Sequence, residues 1–210
     1  MRIKILVFAF FIGLWQSALG QDPQFTQFFA APMYHNPAFT GGGYAPRVMM
    51  NYRNQWPSLS ANFTTTVFSV DHFLEKTNSG IGLMVTNDQQ GNRLKNSEIT
   101  GLYSYELKLN ESNFVRTGLS ATYSDRGFDP SGLLFGDQID QSGYIGASND
   151  PFADKTNFSK AKNMDFAAGA LYYNPERFVG VSISHILDPN IGYLESQSGS
   201  KIGRKFMVQG

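Results

Sequence analysis

Beyond residue 45, apolar and polar positions alternate with a period of two. The clearest stretch is 97–109. Ile99, Gly101, Tyr103, Tyr105, Leu107 and Leu109 fall on one face, and Thr100, Ser104, Glu106 and Lys108 on the other, with Leu102 the exception. Alternation sustained over that length sets one face against an apolar medium and the other against water. Val115, Leu119, Ala121 and Tyr123 oppose Phe114, Arg116, Gly118, Ser120 and Thr122 in the same way. Val179, Val181 and Ile183 oppose Gly180, Ser182 and Ser184, and a weaker contrast runs through 164–173. The pattern predicts strands near 46–55, 61–71, 80–88, 97–109, 113–123, 164–173 and 177–186, with a last one opening at Lys205. Several approach the roughly 9–11 residues that a tilted strand needs to cross a bilayer.

The expected connections also alternate. His72–Ser79, Asn110–Ser112 and Asn174–Glu176 fall at one end, and the last two are very short. Pro57–Ser60, Gln89–Asn96, Asp125–Asn163 and Leu187–Arg204 fall at the other. Short turns on the periplasmic side and long loops outside are the asymmetry of an outer-membrane barrel. Pro57–Ser60 breaks the trend. Seven strands and a partial eighth would leave an open edge. The reading is therefore an all-β, transmembrane antiparallel β-barrel, of which this chain is an N-terminal part.

What precedes residue 46 differs. Arg2 and Lys4, the apolar run Ile5 to Trp15 and the small-x-small Ala18-Leu19-Gly20 read as a secretory signal peptide cut after Gly20. Residues 21–45 then form an extended periplasmic leader, broken by Pro23, Pro32, Pro37 and Gly41-Gly42-Gly43. It carries Phe25, Phe28, Phe29, Tyr34 and Phe39, too many aromatics for a disordered tail. With Asn36 and Pro37 these are the candidate partner-binding residues. The segment could plug the barrel or dock a periplasmic partner, and its residues do not choose. The domain reading is 1–20 signal peptide, 21–45 leader or plug, and 46–210 barrel. Deleting Gln21–Thr40 is expected to spare insertion and abolish partner capture.

Composition narrows the class. Charged residues are 16% of the chain, against roughly 25% in soluble domains. Aromatics reach 14%, and the formal charge is zero, which does not suit a general nucleic-acid binder. There is no cysteine, hence no disulfide and no Cys-based metal site. Three histidines, His35, His72 and His185, are the possible general bases. The expected topology puts His72 and His185 at opposite membrane faces, out of reach of a shared nucleophile site. The chain is read as a non-enzyme without cofactor or metal. Asp125, Asp129, Asp137, Asp140, Asp150 and Asp154 in the long loop are read as turn formers rather than a calcium site. Tyr52, Trp56, Tyr103 and Tyr105 are read as a membrane-interface girdle rather than a ligand platform. Arg53, Glu106, Lys108 and Arg116 face the polar interior. Gly80, Gly82, Gly101, Gly118, Gly169 and Gly180 mark bends or close backbone approach.

Particular strings carry a family resemblance. Gln21-Asp22-Pro23-Gln24-Phe25-Thr26-Gln27-Phe28 running on to Tyr34-His35-Asn36-Pro37-Ala38-Phe39-Thr40-Gly41 resembles the mature N-terminus of the PorP/SprF family. These are outer-membrane proteins of the type IX secretion system in Bacteroidetes. Tyr52-Arg53-Asn54-Gln55-Trp56-Pro57, Ser69-Val70-Asp71, Gly80 to Gly91, Tyr103-Ser104-Tyr105 and Phe135-Gly136-Asp137-Gln138-Ile139-Asp140 are similar in order and spacing. The resemblance spans Gln21 to about Pro189. It implies a barrel in the bacterial outer membrane, partnered by periplasmic type IX components and by a secreted surface adhesin of the gliding-motility kind. Outer-membrane lipid is its remaining partner. The alternatives are a porin or hydrophobic-solute transporter, and a soluble glycan-binding β-sandwich.

Overall fold

The computed structural model describes residues 22–25, 27–43, 45–91, 93–141, 143–150, 153, 161–192 and 200–210. The expected signal peptide lies outside them, as does Asp154. Eight strands form one antiparallel sheet: β1 (Arg47–Gln55), β2 (Phe63–Leu74), β3 (Ser79–Gln90), β4 (Leu94–Lys108), β5 (Phe114–Phe128), β8 (Ala161–Tyr173), β9 (Phe178–Ser184) and β10 (Lys205–Gln209). Each pairs with its neighbour in that order. Together they make a curled half-barrel wall. Among the described residues no helix is long and apolar enough to cross a membrane.

The strands form where the alternation predicts them and run further at one end. β3 and β4 continue to Gln90 and from Leu94, so the connection between them is shorter than the eight residues expected. Gly91, with φ of 60°, turns the chain there, and its N–H is bonded to Asn62 O at 3.1 Å. Long connections at this end are thus confined to those between β5 and β8 and between β9 and β10. The short turns at the other end repeat one device. Asn110 Oδ1 accepts from Asn113 N at 2.8 Å, and Asn174 Oδ1 accepts from Arg177 N at 2.8 Å. The long connection also holds a small hairpin, β6 (Ile139–Asp140) with β7 (Gly143–Tyr144), which alternation over two residues could not signal. Gln138 pins it, accepting from Phe135 N at 2.9 Å and donating to Gly146 O at 3.0 Å.

The wall is inside-out. Ile99 and Leu107 are 54% and 51% exposed, while Thr100 and Ser104 on the other face of the same strand are 4% and 0% exposed. Met50, Phe68, Val85, Ile99, Tyr123 and Met164 are mutual register partners across six strands, and all are exposed. In water an unbroken row of that size would be an aggregation surface. In hydrocarbon it is the outward belt of a membrane β-barrel. From Ile99 to Leu107 the belt covers about 27 Å of strand, and a tilt near 40° leaves about 21 Å along the membrane normal. Two residues toward the long-loop end, the outward row turns polar: Tyr52 aligns with Thr66, Asn87, Ser97, Asp125 and Lys162.

Candidate functional site: the leader and the concave face

The described residues of 22–43 contain no strand. They hold α1 (Pro32–His35) between two short 3-10 turns, Phe28–Ala30 and Pro37–Phe39. Pro32 and Pro37 begin helical turns, where a missing N–H costs nothing. The segment lies on the concave face. It starts beside the long-loop end, descends to the short-turn end and there enters β1.

Asn36 is fully buried, as are Ala38 and Thr40. Its amide nitrogen donates to Val181 O at 3.2 Å, to Ala170 O at 3.4 Å and to Gln209 Oε1 at 3.4 Å, so β8, β9 and β10 all hold it. Its side-chain oxygen accepts from Ala38 N at 2.9 Å and caps the second 3-10 turn. Ser182 donates to His35 O at 2.8 Å and Ser104 to Thr40 O at 2.7 Å. On the β1 side, Asn51 donates to Ala30 O at 3.0 Å. Arg47 donates to Asp71 at 2.8 and 3.0 Å and to Phe39 O at 3.2 Å. Asp71 accepts Gly41 N at 2.6 Å as well. The leader therefore ties the first strand of the wall to the last three.

Glycines let it come so close. A Cβ on Gly80, Gly118 or Gly169 would run into Thr40 O, the Pro37 peptide or the Asn36 side chain respectively. Gly82 and Gly180 leave more room, with nearest atoms at 3.0 and 3.2 Å, and Gly101 has nothing within 4 Å. The glycines expected at bends thus form the floor on which the leader rests. Above it, Met33 packs with Val67, Met84 and Leu102, flanked by Phe25, Tyr34, Phe39 and Met49.

The beginning of the segment is held ionically. Asp22 Oδ2 lies 3.1 Å from His185 Nε2 and 3.0 Å from Lys205 Nζ, and His185 Nδ1 lies 2.7 Å from Asp165. Burial disfavours the imidazolium, but hydrogen bonds to Asp165 and Asp22 outweigh it and lift His185 to about 9. Burial raises Asp22, yet the His185 hydrogen bond and the Lys205 charge carry it far below the usual carboxylate range.

The expected site residues separate into groups. Phe25 and Tyr34 meet edge to face at 5.5 Å inside the concave face, and Asn36 and Pro37 are buried against the wall. Phe29 is 70% exposed. The Phe28 side chain lies outside what is described. Phe39 packs at 5.9 Å on Phe178 at the short-turn end. There a cleft of about 310 Å³ opens between Phe39, Arg116, Tyr173 and the turn Asn174–Arg177. Tyr52, Tyr103 and Tyr105 point outward and are exposed, and Trp56, just beyond β1, is exposed and packs edge to face on Phe63 at 5.3 Å. Arg53 and Arg116 face inward, and Arg116 is paired with Glu106 and bonded to Tyr173. Lys108 is exposed at the strand end. Asp137 accepts from Ser148 and Asn149 at 2.6 and 2.7 Å, which is turn chemistry. Sequence reasoning missed Asp22, Ser182 and Gln209, whose partners lie more than 140 residues away.

The leader, for which plugging and docking were both open, lies on the concave face of the wall. Asn51, Ser104 and Ser182 donate to its carbonyls, so deleting Gln21–Thr40 would strip those partners from β1, β4 and β9. The histidines are also kept apart. His72 lies near the short-turn end of β2, and His185 follows β9 at its long-loop end. His72 is exposed on the lipid face and His185 points inward, so opposite faces of the wall keep them apart. Among the described residues, no cluster of three or more His, Cys, Asp or Glu could hold a metal.

An inside-out antiparallel wall with a polar, filled concave face defines a membrane protein of the β-barrel class. The family model described as type IX secretion system membrane protein PorP/SprF matches residues 17–210, and the chain belongs to that family. The match runs on past Pro189, through β10. No curated protein and no solved structure matches the chain.

Proposed function

We propose that this chain is a non-enzymatic outer-membrane component of type IX secretion, supporting export or surface anchoring of adhesins by binding secretion machinery or client. The carrying observation is the seated leader. A segment held by buried hydrogen bonds to β8, β9 and β10 occupies the space a diffusion porin leaves to water, which favours a scaffold over a solute path. On this reading residues 1–20 are removed on export, 21–45 fill the concave face and 46–210 belong to the barrel. The short-turn end faces the periplasm. Tyr52, Trp56, Tyr103 and Tyr105 lie at lipid interfaces. Phe39, with Phe178 and the turn Asn174–Arg177, is the periplasmic contact surface.

The test is a photo-crosslinking residue placed at Glu176 in native membranes. Adducts with periplasmic type IX components or with a secreted adhesin are expected. Adducts with neither, together with solute-dependent conductance of the purified protein, would establish the porin reading instead.

A further inference from the structure

The upper part of the concave face, toward the long-loop end, encloses a cavity of about 750 Å³ between the wall and the leader. Its lining holds nearly all the stranded polar atoms among the described residues. Both ring nitrogens of His35, Thr86 Oγ1, Asn96 Oδ1, Arg126 Nε and Asp165 Oδ1 are buried without a hydrogen-bond partner, and all five residues line this one space. Only Arg116 Nε lies elsewhere. His35 is 8% exposed and Thr86 2%. Buried polar atoms are normally satisfied, so their convergence on one void points to something that occupies it.

The atoms describe their partner. Arg126 Nε only donates, and Asn96 Oδ1 and the Asp165 carboxylate oxygen only accept. Thr86 does both. Burial and the nearby Lys205 charge push the His35 ring below its ordinary value, so it is neutral and offers one donor and one acceptor. A hydroxyl is the group that answers such a mixture, because it donates and accepts from one atom. Charge argues the same way. Asp22, Asp88, Glu98 and Asp165 stand among Arg53, Lys95, Arg126, His185 and Lys205, so no single sign prevails to draw an ion. Tyr34 and Phe63 add apolar faces of the kind that pack on a sugar ring. The volume falls within the range of small-molecule sites.

We propose that this cavity binds a neutral, hydroxyl-rich ligand of the saccharide class, entering from the long-loop end. The inference goes beyond the secretion role and does not depend on which protein docks at the opposite end.

Isothermal titration of the detergent-solubilised protein with maltose, sucrose and lactose, and with inorganic phosphate as the anionic arm, tests it. Saturable binding of at least one disaccharide is expected, with none for phosphate. Thr86→Val keeps shape and removes the hydroxyl, and should weaken that binding about tenfold, the loss of one buried hydrogen bond. His35→Phe keeps a ring beside Tyr34 and should do the same. Should either variant fail to fold, Arg126→Lys, which keeps the charge but puts a methylene where Nε stood, serves in its place. Absence of saturable binding for all three disaccharides, binding unchanged by the substitutions, or preference for phosphate would each overturn the proposal and leave a water-filled lumen.

Discussion

Gly169 on β8 lies directly beneath the side chain of Asn36, and the space a Cβ would need is taken by the Asn36 amide oxygen. Gly118 stands in the same relation to the Pro37–Ala38 peptide. Gly169→Val and Gly118→Val should therefore unseat the leader, at a cost of about 1–3 kcal/mol from overpacking. Gly101→Ala, on the lipid face with nothing within 4 Å, should cost far less and is the control. Urea unfolding midpoints, with protease cleavage of the leader as a second readout, check this. Equal effects at Gly169 and Gly101 would mean that strand propensity, not the leader, demands the glycine.

Asn36 itself tests the tie between strands. Asn36→Ala leaves the Ser182 and Ser104 bonds to the leader but removes the donor to β8, β9 and β10 and the cap on Ala38. A loss of about 1–3 kcal/mol is expected for buried groups left unmet. Asn36→Asp should be worse, since a carboxylate would face the Ala170 and Val181 carbonyls with no proton to offer. A variant as stable as the parent in heat-dependent gel migration would show that the wall curls without this residue.

Period-two alternation made the strands legible because hydrocarbon outside and water inside act on every residue of the wall. It could not show where polar rows end, so β3 and β4 run longer than expected, to Gln90 and from Leu94. The leader was legible as something that packs, from its aromatics. Its seat was not, because Asn36 reaches Ala170, Val181 and Gln209, and Asp22 reaches His185 and Lys205, over separations that leave no local pattern. Glycine was the available signal. Gly80, Gly118, Gly169 and Gly180 all fall on the inward face of β3, β5, β8 and β9, where lipid contact cannot explain a missing side chain.

Inside the wall, Arg116 and Glu106 are cross-strand partners on β5 and β4, and Tyr173 bonds to both. Arg116 is 2% exposed. Removing one member of such a pair strands the other's charge, so Arg116→Met should destabilise by about 3–5 kcal/mol. The double variant Arg116→Met, Glu106→Gln should recover much of that loss, because no uncompensated charge remains. Unfolding midpoints of the two singles and the double form the cycle. Additive losses would mean that the two side chains act independently.

The ionic hold on the leader's first residues gives it a pH window. His185 is raised in the folded state to about 9 from 6.5, so its contribution is complete below 6.5 and is lost as pH rises through 9. Asp22 is depressed in the folded state, so its contribution is complete above 3.8 and is lost only as pH falls well below that. The segment from Asp22 toward α1 should stay docked across neutral pH and loosen on the alkaline side, while Asn36 keeps the rest seated. A fluorophore at Gln24, which is exposed, should report a mobility transition near pH 9. His185→Asn suits the left-handed backbone there, with φ of 58°, and should abolish that transition by loosening the segment at every pH. A transition that survives His185→Asn unchanged would show that the His185 contacts do not set the alkaline release.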